Sequence, residues 1–140
     1  MDILYSTQAT AVGGRGGWVG SIDGALKVNL STPKALGGRG GAGSNPEQLF
    51  AAAYAACFLE ALRTAANELS ITVAEDANVT ATVAVGHPQD DPKLALRIGL
   101  SIDLAGMPPD EANALVAHAD ALCPYSRALR EVTQVRIQVT

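Results

Sequence analysis

An α+β fold, with antiparallel sheets packed on a long central helix, is predicted by three features of this 140-residue sequence. The first is the run from Asn45 to about Leu69, which carries helix-start signals and then apolar residues at helical spacing. The second is a set of segments in which apolar residues alternate with others: Val79, Val83 and Val85; Leu94 to Leu104; and Val135, Ile137 and Val139. Such alternation is the pattern of strands with one face buried. The third is order along the chain, with sheet segments before and after each helix.

Taken in order, residues 3 to 12 are rich in strand formers and run into Gly13-Gly14-Arg15-Gly16-Gly17. Trp18 to Ile22 resumes as a short strand, and Asp23-Gly24 is a two-residue hairpin signal. Leu26, Val28 and Leu30 then alternate with Lys27 and Asn29. An N-terminal antiparallel meander follows. Thr32-Pro33 ends it, and Leu36 to Gly43 reads as a flexible loop without the phosphate-loop pattern.

The helix opens on Asn45, a favourable N-cap, with Pro46 at the first helical position. Gln48 is placed to reach back as in a capping box, and Glu47 sits where the helix dipole favours a negative charge. Leu49, Phe50, Ala53, Cys57, Ala61, Leu62 and Ala65 form its expected apolar face. Ser70 to Asp76 is a short extended connection, and Gly86 to Pro92 joins the two long strands. Pro108-Pro109-Asp110-Glu111 opens a second helix with the apolar stripe Ala112, Leu115, Val116, Ala119 and Leu122. Cys123-Pro124 interrupts it, because proline disfavours helical geometry in the preceding residue. A short helix from Tyr125 to Arg130 is expected next, with Cys123 near its start.

Length fits one domain, 1–140, able to bury roughly 70% of its unfolded surface. Aromatic residues make up only 4% and alanine is abundant, so the expected core is aliphatic and closely packed. A net charge of -4 gives no reason to expect nucleic acid or an anionic membrane as partner. Met1-Asp2-Ile3-Leu4 lacks a basic, apolar leader pattern, and no stretch approaches the length and hydropathy of a membrane span. A cytoplasmic protein is the expectation, where two cysteines are more often buried thiols or redox groups than a structural staple.

His87 lies in a loop and His118 on the polar side of the second helix, with no ligand-spaced partners, so neither a zinc site nor a serine triad is expected. A lone cysteine on an apolar helix face is usually a small core hydrophobe. Two features shift that reading here. Cys123 adjoins a helix start, where backbone N–H groups favour a thiolate, and arginines in Gly-rich loops are available to approach a thiol.

Cys57 needs such a cation to be reactive, since burial alone raises a thiol above about 8.5. Arg63 is about 240° around the helix from it and faces elsewhere. Arg15 and Arg39, both within Gly-Gly-Arg-Gly-Gly, remain, and the residues alone do not choose between them. Glu47 precedes Cys57 by ten residues, about 15 Å along a continuous helix. For both to serve one site, an arginine must span the gap or Glu47 must come from a partner subunit.

Several segments match one family. They are Ala11-Val12-Gly13-Gly14-Arg15, Leu30-Ser31-Thr32-Pro33 with Leu36-Gly37-Gly38, Asn45 to Ala52, Tyr54-Ala55-Ala56-Cys57-Phe58, and Cys123-Pro124-Tyr125-Ser126. Together they span nearly the whole chain, which closely resembles the organic hydroperoxide resistance (Ohr) branch of the OsmC/Ohr superfamily. The resemblance implies an OsmC-like fold in an intertwined homodimer, a six-stranded antiparallel sheet per subunit, and two sites at the interface. It implies a thiol-dependent peroxidase in which Cys57 is peroxidatic, Cys123 resolving, Arg15 the activating cation and Glu47 its carboxylate partner. The family thus favours Arg15 over Arg39.

An apolar lining from Phe50, Phe58 and the alanine face, together with Tyr125, favours alkyl or fatty-acid hydroperoxides as substrates. The resemblance further implies a dithiol reductant, dihydrolipoyl groups on lipoylated proteins, and no metal or organic cofactor is called for. Three other readings compete. One is an OsmC-branch peroxidase of broader peroxide range, and another is a non-catalytic lipid-binding dimer. The third, a thiol–disulfide oxidoreductase, usually presents a close Cys-x-x-Cys pair.

Overall fold

In the computed structural model, which describes residues 1–131, 133 and 135–140, six strands and three α-helices follow one another along the chain. The strands are β1 (Ala9–Val12), β2 (Trp18–Ser21), β3 (Lys27–Asn29), β4 (Asn78–Gly86), β5 (Ala95–Asp103) and β6 (Val135–Val139). The helices are α1 (Pro46–Leu69), α2 (Pro109–Leu122) and α3 (Pro124–Leu129). The chain falls into two compact units, Met1–Leu49 and Phe50–Thr140.

The first unit holds a three-stranded antiparallel meander in the order β1-β2-β3. Its first strand begins only at Ala9, so the strand-forming residues before it stay outside the sheet. The β2–β3 turn is wider than the two-residue hairpin expected from Asp23-Gly24. Ser21 N–H donates to the Leu26 carbonyl at 2.9 Å, leaving four residues in the loop. The Asp23 carboxylate accounts for the difference, accepting the Ser21 hydroxyl at 2.5 Å and the Ala25 N–H at 3.1 Å. These side-chain bonds support a backbone turn in which the Gly24 N–H donates to the Ser21 carbonyl at 3.0 Å.

The start of α1 follows its sequence signals in part. Asn45 Oδ1 accepts the Gln48 N–H at 2.9 Å, which is the N-cap bond. The Gln48 side chain does not complete a capping box, because its Oε1 instead accepts the Ser44 hydroxyl at 2.8 Å. At the far end Ser70 takes a left-handed φ of 56° and Ile71 N–H reaches the Ala66 carbonyl at 2.9 Å, a Schellman-type stop.

The second unit packs α1 and α2 on one face of a sheet ordered β4-β5-β6. Ile98, Leu100 and Ile102 of β5 are buried, as are Tyr54, Phe58, Leu62 and Leu115 of the helices. The buried face of α1 is Tyr54, Phe58, Ala61, Leu62, Ala65 and Ala66, which leaves Cys57 half-buried at its edge. Bulk decides this: the two aromatic rings fill the core where the expected face had placed Ala53 and Cys57.

The α+β class with a long central helix is as expected. The expected single six-stranded sheet is instead two three-stranded ones, and β5 pairs with β6 in parallel. Alternation marks a strand's faces and not its direction. The α2–α3 crossover between β5 and β6 is long enough to return the chain parallel. One further expectation is corrected: α1 is long and apolar enough to cross a membrane by length and composition. Its alanines give it that character, while Tyr54, Phe58 and Leu62 are buried in the core of the second unit.

Candidate active site

In the first unit, Arg15 sits in a short 3-10 turn at Gly14–Gly16, between β1 and β2. The flanking glycines make this turn possible. Gly13 holds φ 76°, and a Cβ on Gly17 would lie 1.8 Å from the Val12 carbonyl oxygen. The turn presents the guanidinium to Glu47 as a two-pronged pair, Nη1 to Oε2 at 2.8 Å and Nη2 to Oε1 at 2.5 Å. Hydrogen bonding from Arg15 holds the Glu47 carboxyl below its ordinary range, and the same bond raises the Arg15 value. Planar fork-to-fork pairing of this kind fixes an arginine's direction as well as its charge. Arg39 is exposed and, among the described residues, has no carboxylate partner.

In the second unit, the sulfurs of Cys57 and Cys123, 66 positions apart in the chain, lie 3.8 Å from one another. Both are free thiols, Cys57 half-buried and Cys123 fully buried. Cys123 is at once the last cap of α2 and the first of α3, with φ -62° and ψ 120°, the extended geometry that a following proline imposes. Burial pushes the Cys57 thiol up, the Tyr125 backbone N–H donated to its sulfur pulls it down, and the neighbouring Cys123 adds to the rise.

Aromatic rings gather beside this pair. Phe50 meets Tyr54 and Tyr125 edge-on, with centroids 6.2 and 6.4 Å apart, and Tyr54 stacks on Tyr125 at 5.9 Å. Phe50 is half-buried and Tyr125 exposed, whereas Phe58 is fully buried in the core. Phe58 therefore backs the cluster through Tyr54 and offers no surface of its own, contrary to the expectation that it lines a substrate site. A cavity over β5 and β6 is bordered by Tyr54, Ser126, Ile98, Val135 and Arg136 and includes neither cysteine. His118 Nε2 pairs with Glu68 at 2.6 Å, and among the described residues no three His, Cys, Asp or Glu side chains cluster as metal ligands.

Residues 38–138 match the family model described as OsmC-like protein. The chain is also 43% identical over 128 residues to the organic hydroperoxide resistance protein of Xanthomonas axonopodis pv. citri (strain 306), covering 91% of this chain and 89% of that one. This chain belongs to the OsmC/Ohr superfamily, on its Ohr branch. A solved Ohr structure from Legionella pneumophila, described as an organic hydroperoxide resistance protein OsmC and predicted redox protein, superposes with a TM-score of 0.89. It is 44% identical, with 99% of each chain covered. The Ohr protein OhrB of Bacillus subtilis superposes at 0.87 with 34% identity, covering 99% of this chain and all of its own.

Within this Ohr chain, sequence reasoning missed two hydroxyls. Tyr54 Oη and Ser126 Oγ are 2.8 Å apart, and both residues are buried. Each lies inside a segment that carries the family resemblance, and each is three residues from a cysteine. That spacing was the available signal.

Proposed function

We propose that this Ohr protein is a cysteine-based peroxidase that reduces organic hydroperoxides to alcohols. The observation that carries this reading is the 3.8 Å approach of two thiols distant in sequence, in a chain whose relatives bear the name organic hydroperoxide resistance protein. The Cys57 thiolate attacks the distal peroxide oxygen, the O–O bond breaks, the alcohol leaves, and Cys57 becomes a sulfenic acid. Cys123 attacks that sulfur, water leaves, and a Cys57–Cys123 disulfide forms. An external dithiol, such as a dihydrolipoyl group, regenerates both thiols by exchange.

Arg15 is the cation that lowers the thiol pKa and polarises the O–O bond, and Glu47 fixes its direction. On unbroken α1, Glu47 lies about 15 Å along the axis from the Cys57 of its own chain. We therefore assign the Arg15–Glu47 pair to the thiol of a second subunit in an intertwined homodimer. Phe50 and Tyr125 supply apolar contact for an alkyl or acyl chain, which favours organic hydroperoxides over hydrogen peroxide.

A turnover assay with cumene hydroperoxide tests the reading, comparing a lipoyl system with thioredoxin as reductant. Sustained turnover with the lipoyl system, abolished by Cys57→Ser, is expected. Equal consumption by wild type and Cys57→Ser would remove Cys57 from the mechanism.

A further inference from the structure

Two contacts join α1 to the Cys123–Ser126 turn, and they run side by side. Cys57 and Cys123 approach at 3.8 Å, and Tyr54 and Ser126 are hydrogen-bonded at 2.8 Å. Tyr54 precedes Cys57 by three residues, and Ser126 follows Cys123 by three, so each of the two residues lies about one helical turn from a cysteine. Tyr54 is completely buried and Ser126 is 4% exposed, and both border the cavity over β5 and β6. The Tyr54 ring also stacks on Tyr125, within the same turn.

We propose that Tyr54 and Ser126 are positioning residues for disulfide formation, their hydrogen bond holding the Cys123-Pro124-Tyr125 turn so that Cys123 reaches Cys57. The proposal rests on the reading of these cysteines as peroxidatic and resolving. A disulfide needs its sulfurs about 2.05 Å apart, so they must still approach by roughly 1.8 Å. With the turn pinned through Ser126, rotation of the cysteine side chains supplies that approach while the backbone stays in place.

The chemistry is a displacement at sulfur. The Cys123 thiolate attacks the Cys57 sulfenic sulfur, the S–O bond breaks as the S–S bond forms, and the hydroxide leaves as water after taking a proton. The Cys123 sulfur is oxidised and the Cys57 sulfur reduced. A second hydroperoxide molecule competes for the same sulfenic acid and converts it to sulfinic acid. Loosening the turn slows the first path and leaves the second untouched, so it shifts the division between them.

The test uses the full chain as wild type, Tyr54→Phe, Ser126→Ala and the double variant. Each is equilibrated in glutathione redox buffers, and the Cys57–Cys123 disulfide is quantified by mass spectrometry. Each is also treated with rising cumene hydroperoxide, and the ratio of Cys57 sulfinate to disulfide is read. Each single substitution is expected to lower the disulfide equilibrium constant by about 3- to 10-fold, the scale of one buried hydrogen bond. The sulfinate share rises in step, and the double variant is no worse than the singles, because all three remove one interaction.

Tyr54→Phe keeps the ring on Tyr125 and is the deciding variant. If its disulfide constant stays within about twofold of wild type while its melting temperature falls, the bond only satisfies two buried hydroxyls and the proposal is overturned. The glutathione measurement needs no peroxide. A wild type inert to hydroperoxide would therefore sink the peroxidase reading while the disulfide constants still decide the role of Tyr54 and Ser126.

Discussion

At Cys57 burial raises the thiol pKa, and the Tyr125 N–H opposes it without cancelling it. A thiol in that state is a poor nucleophile at neutral pH, so the peroxidase reading requires a cation from elsewhere. Arg15→Ala should slow Cys57 oxidation about 100-fold, the scale on which one electrostatic donor acts in a transition state. Arg39→Ala should leave the rate near wild type, and stopped-flow oxidation separates the two; equal effects would contradict the assignment. The pH midpoint of Cys57 alkylation should rise in Arg15→Ala above the free-thiol value of about 8.5, because burial then acts unopposed by the cation. Glu47 gives the opposite sign of pH dependence. Its folded value is depressed by Arg15, so the pair contributes stability above the ordinary carboxylate value of about 4.3 and loses it as pH falls through the depressed one. Acid titration of Glu47→Gln against wild type, followed by circular dichroism, should show that loss only in wild type. At this scale the sequence made both cysteines, Arg15 and Glu47 visible as candidates. It did not reveal Tyr54 and Ser126, because a tyrosine on an apolar face and a serine in a turn look ordinary until the fold aligns them with the two sulfurs.

Among the elements, α1 carries the most. Asn45→Ala removes the N-cap bond to Gln48 and should cost about 1 kcal/mol in chemical denaturation. Leu62 is fully buried in the core, and Leu62→Ala should cost about 2–5 kcal/mol. Gly17→Ala should disturb the Arg15 turn, since its Cβ would overlap the Val12 carbonyl; the measurable result is loss of Cys57 oxidation rate with the thiols still present. The limits of α1, β5 and α2 were legible because caps, prolines and strict alternation are local signals. The width of the β2–β3 turn was not, since it depends on how Asp23 spends its carboxylate. Nor was the parallel β5–β6 pairing, because pattern shows which face is buried and not which way the strand runs.

For the molecule as a whole, exposed apolar side chains bear on assembly. Val12, Trp18, Ile22 and Leu26 of the first unit all remain exposed in a single chain. Groups of this kind commonly mark surfaces that another chain covers. Sedimentation equilibrium should give twice the 14.4 kDa chain mass, as the proposed intertwined dimer requires. A monomer would remove the route by which Arg15 and Glu47 serve a second subunit's thiol. The family was legible in the sequence because its motifs surround the residues with the strictest geometric demands, the Arg15 turn and the Cys123-Pro124 junction. The central claim is that Cys57 is a fast peroxidatic thiol resolved by Cys123. Its most direct test is stopped-flow oxidation by stoichiometric cumene hydroperoxide, followed by mass spectrometry of the product. The account predicts thiol loss far faster than that of free cysteine and an intrachain Cys57–Cys123 disulfide; loss no faster than free cysteine, or no such disulfide, would contradict it.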